Sequence, residues 1–266
     1  MSIHRKIGYR FKGALDVIIY NLPVYLFSIL ILSLGSAVLI FLPLNASIRT
    51  LLIPLLIMNA FWSVSSILVS HWIYDGSPLY RWTWLRSVLF QPPDKWVTIH
   101  AGLDEACTGL CKIFQKSQGI SVDIFDPEVM TQSSILRARQ RPNASTTALR
   151  ASMRGLPFSD NSLDAVFCAF SLHEIRTPEA RSRLFNEMRR ILKPSGFLMI
   201  LEHGRDLANF LAFGPGFFHF LSAGVWLKHA REAGLCLAKE ISLTPFVKAR
   251  FFNPQEEVIH DTQSVA

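Results

Sequence analysis

The stretch Arg154-Gly-Leu-Pro-Phe-Ser-Asp-Asn-Ser-Leu-Asp-Ala-Val-Phe167 leads to Ser171-Leu-His-Glu-Ile175. A charged amphipathic segment then runs into Arg190-Ile-Leu-Lys-Pro-Ser-Gly-Phe-Leu-Met-Ile-Leu-Glu202. The order is a loop, an apolar strand over 163–170, a helix over 178–192, a Lys-Pro-Ser-Gly turn and a second apolar strand over 196–201. Strands that are apolar throughout belong to a sheet covered on both faces, and strands alternating with helices imply that the sheet is parallel.

Working outward, the same alternation begins after the break at Pro92-Pro93. Lys95 to Ile99 reads as a strand, Leu103 to Lys116 as a helix and Ile120 to Phe125 as a strand. Asp126-Pro127 opens a helix to about Arg139, and Ala148 to Met153 reads as a weak strand. Beyond the central stretch, a helix over 226–233 precedes strands over 235–243 and 246–251.

This succession resembles the class I S-adenosylmethionine-dependent methyltransferases, whose sheet ends in an antiparallel pair. The resemblance covers Trp96 to Phe252. It implies an α/β fold, a Rossmann-like doubly wound methyltransferase sheet, with S-adenosyl-L-methionine as cofactor. In such sheets the ligand lies outside the carboxyl ends of the strands, where the strand order reverses. The family pattern then implies Gly102 in the loop after the first strand and Asp123 or Asp126 as the acid that accepts from the ribose hydroxyls. Ser152, Met153 and Phe170 complete the cofactor side. The chain departs from the pattern in Ile99-His100-Ala101-Gly102-Leu103-Asp104-Glu105-Ala106, which keeps one glycine of the usual loop. Asp104 stands in the second glycine's place. It reads either as an acid favoured at a helix N-terminus or as a carboxylate facing the cofactor's positive charge.

Four titratable residues follow the ends of the two central strands: His173 and Glu174, then Glu202 and His203. All four are candidates for accepting the proton of a methylated nucleophile, a task suited to imidazole near neutral pH. No Gly-x-Ser-x-Gly elbow is present, which disfavours a serine hydrolase. Cys107 and Cys111 stand four apart, but no Cys or His pair has recognisable zinc spacing, so no metal ligands are expected.

The N-terminal part differs in kind. Half of the 266 residues are apolar and 18% are charged, against about 25% charged in a soluble domain. No charged side chain occurs between Asp16 and Arg49, or between Arg49 and Asp75. A hydrocarbon core needs about 20 apolar residues per helix, and residues of about 22–43 and 51–72 meet that length as a transmembrane hairpin. A signal peptide would have a shorter apolar region and no second span behind it. Pro23, Pro43 and Pro54 are expected near span ends. Arg5, Lys6, Arg10 and Lys12 precede the hairpin and Arg81, Arg86 and Lys95 follow it, while its turn carries Arg49 alone; the positive-inside rule puts both ends in the cytoplasm.

The expected organisation is therefore an anchor over 1–80, a linker over 81–94 and a catalytic domain over 95–266. The net charge of +7 flanks apolar spans, so anionic lipid headgroups are its expected partners, and nucleic acid is not. Residues 207–221 hold five phenylalanines around Gly214-Pro215-Gly216. They read either as a helix and turn packed on the sheet or hairpin, or as an apolar lid at the membrane interface that receives a lipophilic acceptor. Three functions remain: a membrane-anchored methyltransferase acting on a lipid-soluble small molecule, a membrane scaffold that keeps the fold, or a methyltransferase of soluble substrates with an incidental anchor.

Overall fold

A computed structural model of the chain describes residues 10–140 and 148–255; Arg5 and Lys6 fall outside them. The two apolar stretches form α2 (Leu22–Phe41) and α3 (Ala46–Ser70), with Arg49 in the first turn of α3 rather than in the connecting turn, and a short α1 (Lys12–Tyr20) precedes them. Both α2 and α3 are long and apolar enough to cross a membrane. They are held side by side by polar contacts and by the close approach of Leu56 to Gly35. Ser28 Oγ lies 2.6 Å from Ser63 Oγ and donates to Asn59 Oδ1, Asn59 Nδ2 donates to Ser28 O, and Tyr25 OH meets Ser66 Oγ at 3.0 Å. Small and polar residues are the usual cement between helices in lipid, where apolar contact gives no net gain. Pro23 starts α2 and Pro43 lies in the turn, but Pro54 stands inside α3 rather than at an end. There its missing amide leaves the Thr50 carbonyl without an intrahelical donor, a defect that helices in lipid tolerate.

After α3 the chain continues through a wide π-helical turn, His71–Gly76, and two 3₁₀ turns, Leu79–Arg81 and Thr83–Ser87. Ile73, Leu79, Trp82 and Leu85 are fully buried and pack on one face of the sheet with Trp96, Phe114 and Phe167. Two of them, Trp82 and Leu85, lie in the stretch expected to be a linker.

The sheet strands are β1 (Lys95–His100), β2 (Gln118–Asp123), β3 (Leu149–Arg150), β4 (Leu163–Ala169), β5 (Leu192–His203), β6 (Leu235–Thr244) and β7 (Val247–Pro254). Their order is β3-β2-β1-β4-β5-β7-β6, with β7 antiparallel to both neighbours and the remaining pairs parallel. The order reverses between β1 and β4, which sets the cleft above the ends of those two strands. The intervening helices are α4 (Cys107–Ile113), α5 (Ser133–Arg139), α6 (Pro178–Ile191), α7 (Leu207–Phe213) and α8 (Ala223–Glu232).

Three elements are shorter than the sequence predicts. The helix expected from Leu103 begins at Cys107, because Asp104 draws the loop inward and caps it: Oδ1 accepts from the amides of Ala106 and Cys107. The helix expected from Asp126 begins at Ser133, since Asp126 closes a turn through Glu128 N and Met130 N instead. The strand expected over 148–153 keeps two residues in the sheet, and Ser152 forms an isolated bridge with Gly155.

Residues 207–221 take the first of their two readings, packing on the hairpin. Helix α7 packs on α3, with the Phe210 and Trp62 rings 5.4 Å apart, while Leu207, Leu211 and Phe218 face outward. Gly214 sits at φ +54° with the Trp62 indole where a side chain would project. Gly214→Ala adds both a left-handed strain and a collision, together worth about 1–3 kcal/mol. A lowered melting temperature in detergent is expected; an unchanged one contradicts this close approach.

Candidate active site

The carboxyl ends of β1, β4 and β5 face a cleft of about 1670 Å³ whose opposite wall is the helical hairpin. Its lining runs from Tyr25, Ser28, Ile31 and Met58 on the hairpin to Phe170, His173, Glu174 and His203 on the sheet side.

At the centre stands Glu202, 1% exposed at the end of β5. Oε1 accepts from the amides of Leu172 (3.0 Å) and His173 (3.3 Å), and Oε2 lies 2.7 Å from His173 Nδ1. The β4 turn that carries His173 is therefore pinned to β5 by one carboxylate. On the other edge of the ring, His173 Nε2 is 3.6 Å from Glu174 Oε1, which in turn is 3.8 Å from His219 Nε2. Burial pulls the His173 pKa down, but the charge of Glu202 and hydrogen bonds to Glu174 and Glu202 outweigh it and lift the pKa to about 10. His173 is thus a cation held between two carboxylates rather than a free base. Burial, reinforced by that cation, pushes His219 down to about 3 and keeps it neutral. Glu174 Oε2 is buried without a hydrogen-bond partner.

His203, the fourth candidate, is set apart. Nε2 accepts from Tyr74 OH at 2.7 Å, and Nδ1 faces Phe246 O and Asn209 Oδ1 at 3.2 and 3.3 Å. Burial lowers its pKa to about 4. A neutral imidazole bonded on both nitrogens and stacked on Phe220 ties the π-helical turn to the sheet, and it has no lone pair left for a proton from the cleft.

On the cofactor side, Gly102 has φ +115° and a side chain there would strike the Arg139 guanidinium. Its amide donates to His100 Nδ1. Asp104 lies in the cleft lining, but its oxygens are engaged within the loop: besides the two amides of α4, Oδ2 accepts from Thr98 Oγ1 at 2.7 Å and from Ser121 Oγ. Those four donors fill the acceptor sites of a carboxylate, so the side chain acts as the buckle of the loop that glycines usually form. Its neighbour Glu105 accepts from Tyr80 OH, and burial raises its pKa to about 7.

Asp123 ends β2 and is 7% exposed. Both of its oxygens meet Arg139 Nη1, at 3.0 and 2.9 Å, and the same nitrogen donates to Ala101 O. This guanidinium separates the main cleft from a 240 Å³ cavity lined by Asp123, Phe125, Arg139 and Arg150. Asp126 lies outside both cavities in its turn. Ser152 is exposed and bonded to Arg154 N, Met153 is buried in the core, and Phe170, at φ +49°, edges Tyr74 and Tyr80 at the cleft wall.

Sequence reasoning missed three residues that complete the site. Arg139 and Gln132 come from α5 and the turn before it, and His219 from the aromatic segment. No local pattern marks them; they meet the strand ends only through tertiary packing.

Residues 103–200 match the family profile described as a methyltransferase domain. The chain is 32% identical over 97 residues to the ubiquinone/menaquinone biosynthesis C-methyltransferase UbiE of Paracoccus denitrificans, covering 34% of this chain and 36% of that protein. Against the enzyme of the same name from Paraburkholderia xenovorans the figures are 32% over 99 residues, 36% and 39%. The match thus spans well under half the length of these relatives. Among solved structures, an S-adenosylmethionine-dependent methyltransferase from Aquifex aeolicus aligns over 67% of this chain and 93% of its own, with a TM-score of 0.50 and 18% identity; it bears on the fold alone.

The family's cofactor fits the residues present: a glycine at positive φ where backbone must be bare, and a buried carboxylate at the next strand end. Arg139 is the departure, since it holds that carboxylate. Asp123→Asn is expected to weaken S-adenosylmethionine binding at least tenfold in calorimetric titration, because a charge-assisted hydrogen bond contributes about 1.5–3 kcal/mol. Asp126→Asn should leave the affinity within twofold, and the reverse ranking contradicts the assignment.

Proposed function

We propose that the domain built around residues 103–200, which match a methyltransferase-domain profile, works as a class I S-adenosylmethionine-dependent methyltransferase and that the protein transfers a methyl group to a lipophilic acceptor at a membrane surface. The observation that supports this reading is the shared wall. The cleft above the strand ends is closed by α2 and α3, the two helices long enough to span a bilayer. An acceptor with an apolar tail could lie along Ile31, Leu55 and Met58 with its polar head toward His173 and Glu174. Anchoring enzyme and acceptor in one thin layer raises their effective concentration without new contacts. The basic residues Arg10, Lys12, Arg81, Arg86 and Lys95 at the hairpin ends support a cytoplasmic face for the domain. The relatives named as ubiquinone/menaquinone biosynthesis C-methyltransferases support a quinone-like or phenolic head.

Bound S-adenosylmethionine supplies a methyl carbon activated by the sulfonium. Asp123 and the backbone at Gly102 would hold it, with Met153, Ser152 and Phe170 alongside, and Arg139 would yield Asp123 to the ribose. The protein's remaining work is to align the acceptor and to take its proton. His173, fixed by Glu202, supplies positive charge beside a developing oxyanion or enolate. Glu174, whose Oε2 has no partner, is the group able to receive the proton.

The opposing reading, a scaffold that keeps the fold, draws support from the Arg139–Asp123 pair and the single loop glycine. Methyl-labelled cofactor, full-length protein in lipid nanodiscs and a prenylated hydroquinone separate the two. Label in the lipid extract is expected, and Glu174→Gln should cut its rate by about 10²–10⁴ with cofactor affinity within twofold. No labelled lipid and no cofactor binding would transfer the case to the scaffold.

A further inference from the structure

From the same cluster we infer a binding site for one divalent transition-metal ion, formed by His173, Glu174 and His219. One ligand atom from each lies within 4.8 Å of the others, and two of the three residues are buried. Ligands about 2.0–2.2 Å from a tetrahedral ion stand about 3.3 Å apart. The separations of 3.6 and 3.8 Å from Glu174 to the two imidazoles are within roughly half an ångström of that spacing, and no two of the three ligand atoms are more than 4.8 Å apart. Two imidazoles and one carboxylate form a donor set suited to zinc or iron(II), with the remaining positions open to the cleft.

Two further observations point to an ion rather than to chance proximity. Glu174 Oε2 is buried with no hydrogen-bond partner, although Glu174 is 6% exposed. Leaving a buried carboxylate oxygen unpaired is costly, and a coordinated cation removes that cost. The surroundings are also those of a metal site. Metal-binding histidines present their other ring nitrogen to a carboxylate or carbonyl oxygen, which fixes tautomer and orientation. His173 Nδ1 faces Glu202 at 2.7 Å, and His219 Nδ1 faces the Gln132 amide at 2.5 Å. With the amide nitrogen donating to Nδ1, the Gln132 oxygen accepts from Arg176 and the His219 proton resides on Nε2. A half-turn of the amide presents oxygen to Nδ1 and frees Nε2 for an ion. Arg176 meanwhile bonds the carbonyls of both His173 and His219, at 3.0 and 2.9 Å, clamping the two ligand-bearing segments together.

Ion binding does not depend on the methyl-transfer reading, but it displaces the proton from His173 Nε2 and engages Glu174. In the ion-loaded protein the metal carries the positive charge and Glu174 no longer takes the acceptor's proton. The use of the ion does depend on that reading: an ion there would polarise a hydroxyl of an acceptor in the adjoining cleft.

The test uses chelator-stripped, full-length protein in detergent, titrated with Co²⁺ alone and followed by its visible d–d bands. The expected result is saturation at one ion per chain with a rise in melting temperature. Affinity should fall at least tenfold in His219→Ala and in Glu174→Ala. Glu202→Gln, which keeps all three ligands, should lose about 10–100-fold as an outer-shell change. Cys111→Ser should be silent. No saturable binding, binding that survives His219→Ala, or binding lost in Cys111→Ser would each overturn the site.

Discussion

Glu202 places a carboxylate in the interior of the sheet, and the architecture of the cleft follows from the need to satisfy it. An isolated buried charge is far too costly to keep. Three donors from one short turn, Leu172 N, His173 N and His173 Nδ1, meet it. The result is a link between β4 and β5 that fixes His173 in position and in charge. That cation in turn stabilises Glu174 in its ionised form, below the usual carboxylate range despite burial, and helps hold His219 neutral. One charge thus orders the whole polar floor of the cleft.

The roof is supplied from outside the sheet. Tyr74 on the turn after α3 donates to His203, Asp75 caps α1 by accepting from Gly13 N and Ala14 N, and Arg137 on α5 donates to Tyr20 O. With Trp62 against Gly214, these contacts seat the hairpin directly over the strand ends. The cofactor side and the hairpin side consequently share one chamber, with aromatic rings at its waist and polar side chains at both ends. Such a chamber can accept a molecule that is partly apolar and partly a hydrogen-bonding ring.

The order of elements from β4 to β5 was legible because each signal there is local. Continuous apolar runs mark buried strands and Thr177-Pro178 starts α6, whereas the Lys193-Pro-Ser-Gly196 stretch read as a turn lies inside β5, at a register shift against β4. The hairpin was legible for a similar reason, since the absence of charge over such lengths admits few explanations. The first half of the sheet was harder to read. Asp104 bonds to Thr98, Ser121 and two amides at once, and none of those partners can be inferred from the loop's own sequence. It shortened the first helix and bound up the carboxylate that one of the two readings had facing the cofactor. The site was half legible. His173, Glu174 and Glu202 follow strand ends, where function is sought in this kind of sheet. His219 and Gln132 reach them from distant segments through packing that a single sequence does not encode visibly. His203 looked equivalent to His173, but its two bonded nitrogens give it a structural task.

The central claim is that the chamber between hairpin and sheet receives the acceptor, and narrowing its hairpin wall tests that most directly. Met58→Trp fills the chamber from α3 without touching the strand ends. Methyl transfer to a prenylated hydroquinone in nanodiscs is predicted to fall at least tenfold, with S-adenosylhomocysteine affinity unchanged within twofold. Full transfer by this variant, with the protein folded and the cofactor bound, would contradict the account.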